Sequence, residues 1–130
     1  MEEDLHRAPK RMEIWFAELG NHSDTSVQGG CRPVLIVSNN IGNTHAETVT
    51  ILPMTSRKKR WLPTHIFLFP NEIKIAATYH SGFSPSTILA EQITTIDKKA
   101  LGTYVGRVIS TDKMRMINEA VATELGMEVE

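Results

Sequence analysis

The sequence predicts a mainly β fold: a small barrel or strongly bent antiparallel sheet with one short helical turn and a C-terminal α-helix. Three observations carry this. Short runs rich in β-branched and aromatic residues recur along the 130 residues, separated by Gly, Pro and Asn clusters. One run, Val34-Leu35-Ile36-Val37, is continuously apolar and reads as a strand buried on both faces. Helical periodicity emerges only near the end, where Met114, Ile117, Val121 and Leu125 form a stripe. Five to seven strands followed by one amphipathic helix suggest a curled sheet with the helix packed on it. The length fits one domain, and an apolar fraction of 41% excludes wholesale disorder.

The elements follow in order. Residues 1–11 are charged, carry Pro9 and read as a loose tail; residues 12–126 form the domain and residues 127–130 a second tail. Met12 to Leu19 is a strand around Ile14, Trp15 and Phe16. Gly20 to Gly30, polar and with three glycines, is a long mobile loop. Pro33 to Ser38 is the buried strand, and Asn39 to Asn43 a turn. In the strand Glu47 to Thr55, Val49 and Ile51 face one way while Thr50, Leu52 and Met54 face the other. Pro53, lacking a donor, predicts a bulge or an edge there. A basic loop, Ser56 to Pro63, leads to a strand over Thr64 to Phe69. Between Pro70 and Pro85 only Ile73, Ile75 and Ala76 suggest a short strand, before a turn at Gly82. Ser86 to Ile96 reads as one strong strand. Asp97 then caps a helical turn stopped by Gly102, and Thr103 to Ile109 is the last strand. The helix starts with Ser110 or Thr111 as its cap and ends at Gly126.

Bulk properties bound the function. A lone cysteine, Cys31, makes no internal disulfide and favours a reducing compartment. No apolar run is long enough to span a bilayer, and the acidic start lacks the features of a signal peptide. The expected location is the cytoplasm, without a membrane partner. A net charge of −1 rules out bulk polyelectrolyte binding, so contact with nucleic acid needs a local patch. Arg57-Lys58-Lys59-Arg60 is such a patch; it reads equally as a solvated loop or as a clamp for phosphates. Motifs for a phosphate loop, a zinc site, a serine nucleophile elbow and a carboxylate pair are absent, so no metal or other cofactor is expected.

What remains is the turn Gln28-Gly29-Gly30-Cys31-Arg32-Pro33. Two glycines bring backbone N–H groups close to a ligand, and Pro33 biases Arg32 toward an extended conformation at the mouth of a rigid strand. A guanidinium held this way suits a bidentate grip on phosphate; an ordinary loop with Arg32 paired to a carboxylate is the plainer alternative. Thr55-Ser56 offers two hydroxyls that either bind phosphate or ribose, or cap a turn. Gln92, beside Glu91 within the predicted strong strand, either satisfies buried backbone or faces a ligand.

Together these elements resemble one family. Glu13-Ile14-Trp15-Phe16-Ala17-Glu18-Leu19, the Gln28-to-Val37 string, Asn39-Asn40-Ile41-Gly42-Asn43, Leu62-Pro63-Thr64-His65 and Glu91-Gln92-Ile93-Thr94-Thr95-Ile96-Asp97-Lys98 look like the MazF/PemK toxins of bacterial toxin–antitoxin pairs. The resemblance spans about residues 11–126. It implies an SH3-related barrel, a homodimer, and cleavage of single-stranded RNA without ribosome or metal. It also implies a cognate antitoxin that occupies the RNA groove. The catalytic pair carries over to Arg32 and Thr55, and Ser56 and Gln92 match positions near bound RNA. The expected RNA surface further includes Gln28, Gly29, Gly30, Arg57, Lys58 and Lys59. His65 joins it as a candidate base by residue type, against the plainer reading of a partly buried strand histidine. The chain departs from the pattern at Val27, where many relatives are acidic, and over Phe67 to Ser86. Two other readings remain: a CcdB-like toxin that binds gyrase without cutting, and a non-catalytic SH3-like binding module.

Overall fold

The computed structural model describes residues 8–57 and 59–128. Among the described residues eight strands, one more than the five to seven expected, form one curled antiparallel sheet, the strongly bent form of the two that the sequence predicts. Strand β1 (Glu13–Glu18) pairs with β2 (Cys31–Ile36), with Ile14 opposite Leu35 and Ala17 opposite Arg32. Strand β2 pairs in turn with β3 (Thr48–Thr55), which is the hub of the sheet. Beyond it lie β6 (Ser86–Leu89) and then β4 (His65–Leu68), while β7 (Thr94–Asp97) also lies beside β3. On the other side, β1 pairs with β8 (Leu101–Val108), and β8 with β5 (Ile73–Ile75).

The period-two pattern of β3 divides the core as the sequence predicts. Leu52 and Met54 join Ile14, Leu35 and Ile117 in one buried cluster. Val49 and Ile51 join Trp15, Val34 and Ile36 in a second, on the opposite face. Fully buried aliphatic side chains of this kind contribute roughly 1.5–3 kcal/mol each. Strand β2 is therefore covered on both faces, as its unbroken apolar run requires.

Three local expectations need correction. First, β3 is central rather than an edge, although it carries Pro53. The carbonyls of Thr50 and Met54 point toward the β2 side, where Val37 and Arg32 donate to them. Pro53 therefore turns its nitrogen the other way, between the partners β7 (ending opposite Ile51) and β6 (starting opposite Met54). The missing donor falls where no partner strand asks for one. Second, the single strand expected over Ser86 to Ile96 is broken. A 3-10 turn, Ala90–Gln92, separates β6, which pairs with Met54 and Thr55 of β3, from β7, which pairs with Thr48 to Ile51 of the same strand. Third, Asn39 to Asn43 is not a simple turn. Asn39 caps a short helix, α1 (Asn40–His45), by accepting from the Gly42 N–H, and the buried Asn43 bonds back to Ser38.

The closing helix α2 (Thr111–Glu124) is capped as predicted, with Ser110 Oγ accepting from the Lys113 N–H at 3.2 Å. It ends on Gly126, whose φ of +70° lets the Met127 N–H return to the Ala122 carbonyl at 2.8 Å. That turn leaves Leu125 exposed, so the buried stripe is Ile117 and Ala120, flanked by Met114 and Val121. Lys113 Nζ donates to the Phe67 carbonyl at 2.6 Å and ties the helix to β4.

Of the expected N-terminal tail, residues 1–7 lie outside the described residues, as do 129 and 130. Residues 8–11 are held: Pro9 is buried, and Arg11 bonds to Asn40, Val37 and Asn118. Burial lowers the Arg11 pKa, which still leaves a guanidinium protonated at neutral pH. Gly106 sits where β5 crosses close to β8. A Cβ there would collide with the Lys74 carbonyl oxygen, so the approach requires glycine.

Candidate active site

Arg32 stands at the meeting point of two clefts. Its Nε donates to the Gly29 carbonyl at 2.8 Å and its Nη1 reaches the Met54 carbonyl at 3.4 Å. A guanidinium has five N–H donors, so these two bonds fix its plane and leave three for a ligand. The side chain is half-buried, and its position in β2, opposite Ala17, makes its base rigid. Both partners are backbone carbonyls, and among the described residues no carboxylate pairs with this arginine, which sets aside the plainer ion-pair reading.

The smaller cleft, about 370 Å³, is floored by Met54, Thr55 and Ser56 and walled by Phe16, Tyr79 and Phe83. Thr55 ends β3 opposite Thr87 and is buried; its Oγ1 accepts from the Arg57 N–H at 3.2 Å. That bond leaves the hydroxyl proton available to donate. The larger cleft, about 780 Å³, is lined by Gln28, Gly29, Gly30, Arg57 and Lys59 together with Glu18 and His22. Arg57 borders both. Among the described residues no side chain pairs with Arg57, Lys59 or Arg60, whereas Lys58 lies outside the described residues. Arg32, Thr55, Ser56, Arg57, Lys59 and the Gln28–Gly30 turn are thus brought together from two separate stretches of the sequence, 28–32 and 55–59.

Two other predicted site residues are not. The imidazole of His65 is 4% exposed and pairs with Glu91 at 2.8 Å, and it lines neither cleft. It is the buried strand histidine of the plainer reading. Gln92 lies behind the 19–30 loop rather than in a cleft wall: its Oε1 accepts from the Gln28 N–H at 2.8 Å and its Nε2 donates to the Ser26 carbonyl at 3.1 Å. The turn's amides are also less free than two glycines suggest. The Gly30 N–H donates to the Gly20 carbonyl, and the Gln28 N–H is taken by Gln92. Gly29 serves packing instead, since a Cβ would lie 2.7 Å from the Gly20 oxygen. Gly30 has a φ of +73°, the left-handed conformation that closes the loop.

Some cleft residues escape the sequence reading. His22 Nε2 lies 2.9 Å from the Leu19 carbonyl and must donate to it, so a neutral ring presents Nδ1 as its acceptor. Tyr79 and Phe83 come from the stretch with no readable period. Two aromatics stranded in a polar segment were its one signal.

A model of the "PemK-like, MazF-like toxin of type II toxin-antitoxin system" family matches residues 10–125. The chain belongs to this family. Endoribonuclease MazF of Staphylococcus saprophyticus is 34% identical over 119 residues, 91% of this chain and 92% of that protein. A mycobacterial endoribonuclease, solved in complex with its cognate antitoxin, is 31% identical with a TM-score of 0.72, covering 95% of this chain and all of that one. MazF from Deinococcus radiodurans, 21% identical, shares the fold with a TM-score of 0.71, covering 93% and 99% of the two chains. In this MazF/PemK-type toxin the two clefts meeting at Arg32 are the natural place to look for chemistry. Among the described residues no group of three or more His, Cys, Asp and Glu side chains converges, and no helix is long and apolar enough to cross a membrane.

Proposed function

We propose that the chain is an endoribonuclease toxin that cuts single-stranded RNA without ribosome or metal. It works as a cytoplasmic homodimer neutralised by a cognate antitoxin. The observation that carries the reading is Arg32, a pre-oriented guanidinium with spare donors beside the Thr55 hydroxyl, at the junction of two polar clefts edged with unpaired cations. The kinship to proteins described as endoribonucleases, one bound to its antitoxin, supports the activity and the partner.

The chemistry is transfer within the RNA chain. The ribose 2′-oxygen attacks the adjacent phosphorus and gives up its proton, the P–O5′ bond breaks, and the 5′-oxygen takes a proton. The products are a 2′,3′-cyclic phosphate and a 5′-hydroxyl. Arg32 stabilises charge that develops on the phosphoryl oxygens through its remaining N–H donors. Thr55 orients the 2′-hydroxyl or the phosphate from the floor of the smaller cleft. Ser56 adds a second hydroxyl from the same floor, and Arg57 and Lys59, with Lys58, attract the chain by charge. Gln28, Gly29 and Gly30 form the wall along which the RNA lies.

Incubating the pure protein with a long RNA in excess EDTA and mapping the ends tests the cleavage reading. Cyclic phosphate and 5′-hydroxyl ends at one short sequence are expected. A requirement for Mg²⁺ would contradict the mechanism, and intact RNA would favour a gyrase-binding toxin or a plain binding module.

A further inference from the structure

We propose that Gln92 is a positioning residue: from behind the 19–30 loop it latches Ser26 and Gln28, and through Gly29 it holds Arg32 in its working place. The inference rests on the reading of Arg32 as the group that stabilises the reacting phosphate.

The latch begins with an anchored base. Gln92 sits in the 3-10 turn at the corner of the sheet, where Ala90 is fully buried and donates its N–H to the Thr64 carbonyl at 3.0 Å. The neighbouring Glu91 carboxylate accepts from Thr64 Oγ1 at 3.0 Å and meets His65 Nε2 at 2.8 Å. A turn pinned at three points presents the Gln92 amide with little freedom. The His65–Glu91 pair, useless to the chemistry, thereby acquires a structural purpose.

That amide makes two bonds across the fold, from the Gln28 N–H and to the Ser26 carbonyl. One needs an acceptor and the other a donor, and the amide serves both at once, in one orientation. The loop they hold is otherwise fastened at its ends, where Leu19 and Gly20 bond to Gly30. Gln28 is one residue from Gly29, whose carbonyl takes Arg32 Nε at 2.8 Å. Displacing Gln28 therefore displaces the oxygen that sets the guanidinium plane. Positioning errors of about an ångström are enough to cost catalysis dearly. Since Gln92 lines neither cleft, its effect on RNA must travel through this loop.

The test compares the full chain with Gln92→Ala and Gln92→Glu, after checking that each melts as one folded species. Amide hydrogen exchange at Gln28 is read first, without RNA. Losing two ordinary hydrogen bonds should raise it by about ten- to thirty-fold in Gln92→Ala. Gln92→Glu, which keeps the acceptor and loses the donor, should fall between. Unchanged exchange overturns the latch. In cleavage assays Gln92→Ala should lower kcat by about ten-fold and leave KM within about three-fold. A raised KM at constant kcat would instead reveal direct RNA contact and overturn the proposal. In an Arg32→Lys background the loss of Gln92 should cost less than about two-fold, because both changes disable one device. A full further ten-fold loss would show independent action and sink it. Wild-type protein that leaves RNA uncut would fail the activity reading alone, since the exchange result stands without RNA.

Discussion

Arg32 and the basic loop that follows Thr55 both bring positive charge to the clefts, and they are built in opposite ways. Arg32 rises from a rigid strand and is gripped by the carbonyls of Gly29 and Met54. Arg57, Lys59 and Arg60 stand in a loop, and no described side chain pairs with them. Under the proposed function, the difference separates two tasks. Stabilising charge that appears only at the reacting phosphate demands a donor already in place, because reorganisation at that moment would consume the gain. Attracting a flexible polyanion rewards cations free to follow it, and their contribution is tuned by salt rather than by geometry.

The contrast can be broken most sharply at Arg32. Arg32→Ala should lower single-turnover cleavage by at least about 10²–10³, with the melting temperature and the oligomeric state unchanged. Full activity in that variant would remove Arg32 from the mechanism. Thr55→Val conserves volume and deletes the hydroxyl. A lost hydrogen bond to a charged group is worth about 1.5–3 kcal/mol, so a fall of roughly ten- to a hundred-fold in kcat is expected. A change confined to KM would move Thr55 from orienting the reacting group to binding. The smallest effect belongs to the loop. Arg57→Ala with Lys59→Ala should weaken binding to every RNA sequence alike. It should also flatten the salt dependence of log K by about 1.4, two contacts at roughly 0.7 each for single strands. An unchanged slope would return the loop to a solvated surface feature.

Much of the fold was legible because strands announce themselves locally. The alternation in β3 assigned Leu52 and Met54 to one face and Val49 and Ile51 to the other, and the structure buries them so. The break between β6 and β7 was not legible. Residues 86–96 have strand composition throughout, and the break falls where the chain passes from pairing with one end of β3 to pairing with the other, a long-range demand. The site divides in the same way. Pro33 and the glycines pointed to an oriented Arg32 from neighbouring residues alone. Its second anchor, the Met54 carbonyl, comes from 22 positions away and left no mark in the sequence. Gln92 was visible as an anomalous amide, with two readings open. Only its partners at Ser26 and Gln28 show that it serves the backbone. His65 was a candidate by residue type, but residue type says nothing about access, and the ring is buried against Glu91.

The loop from Leu19 to Gly30 is sewn at its ends and along one margin, while Ser23, Asp24 and Thr25 at its tip are exposed. A hem of this kind lets the fringe be rewritten without disturbing the seam. Residues at the tip can change in identity, and even in number, with little strain transmitted to Arg32. Under the proposed function, the choice of RNA has room to drift among descendants of such a chain while the cutting step stays the same.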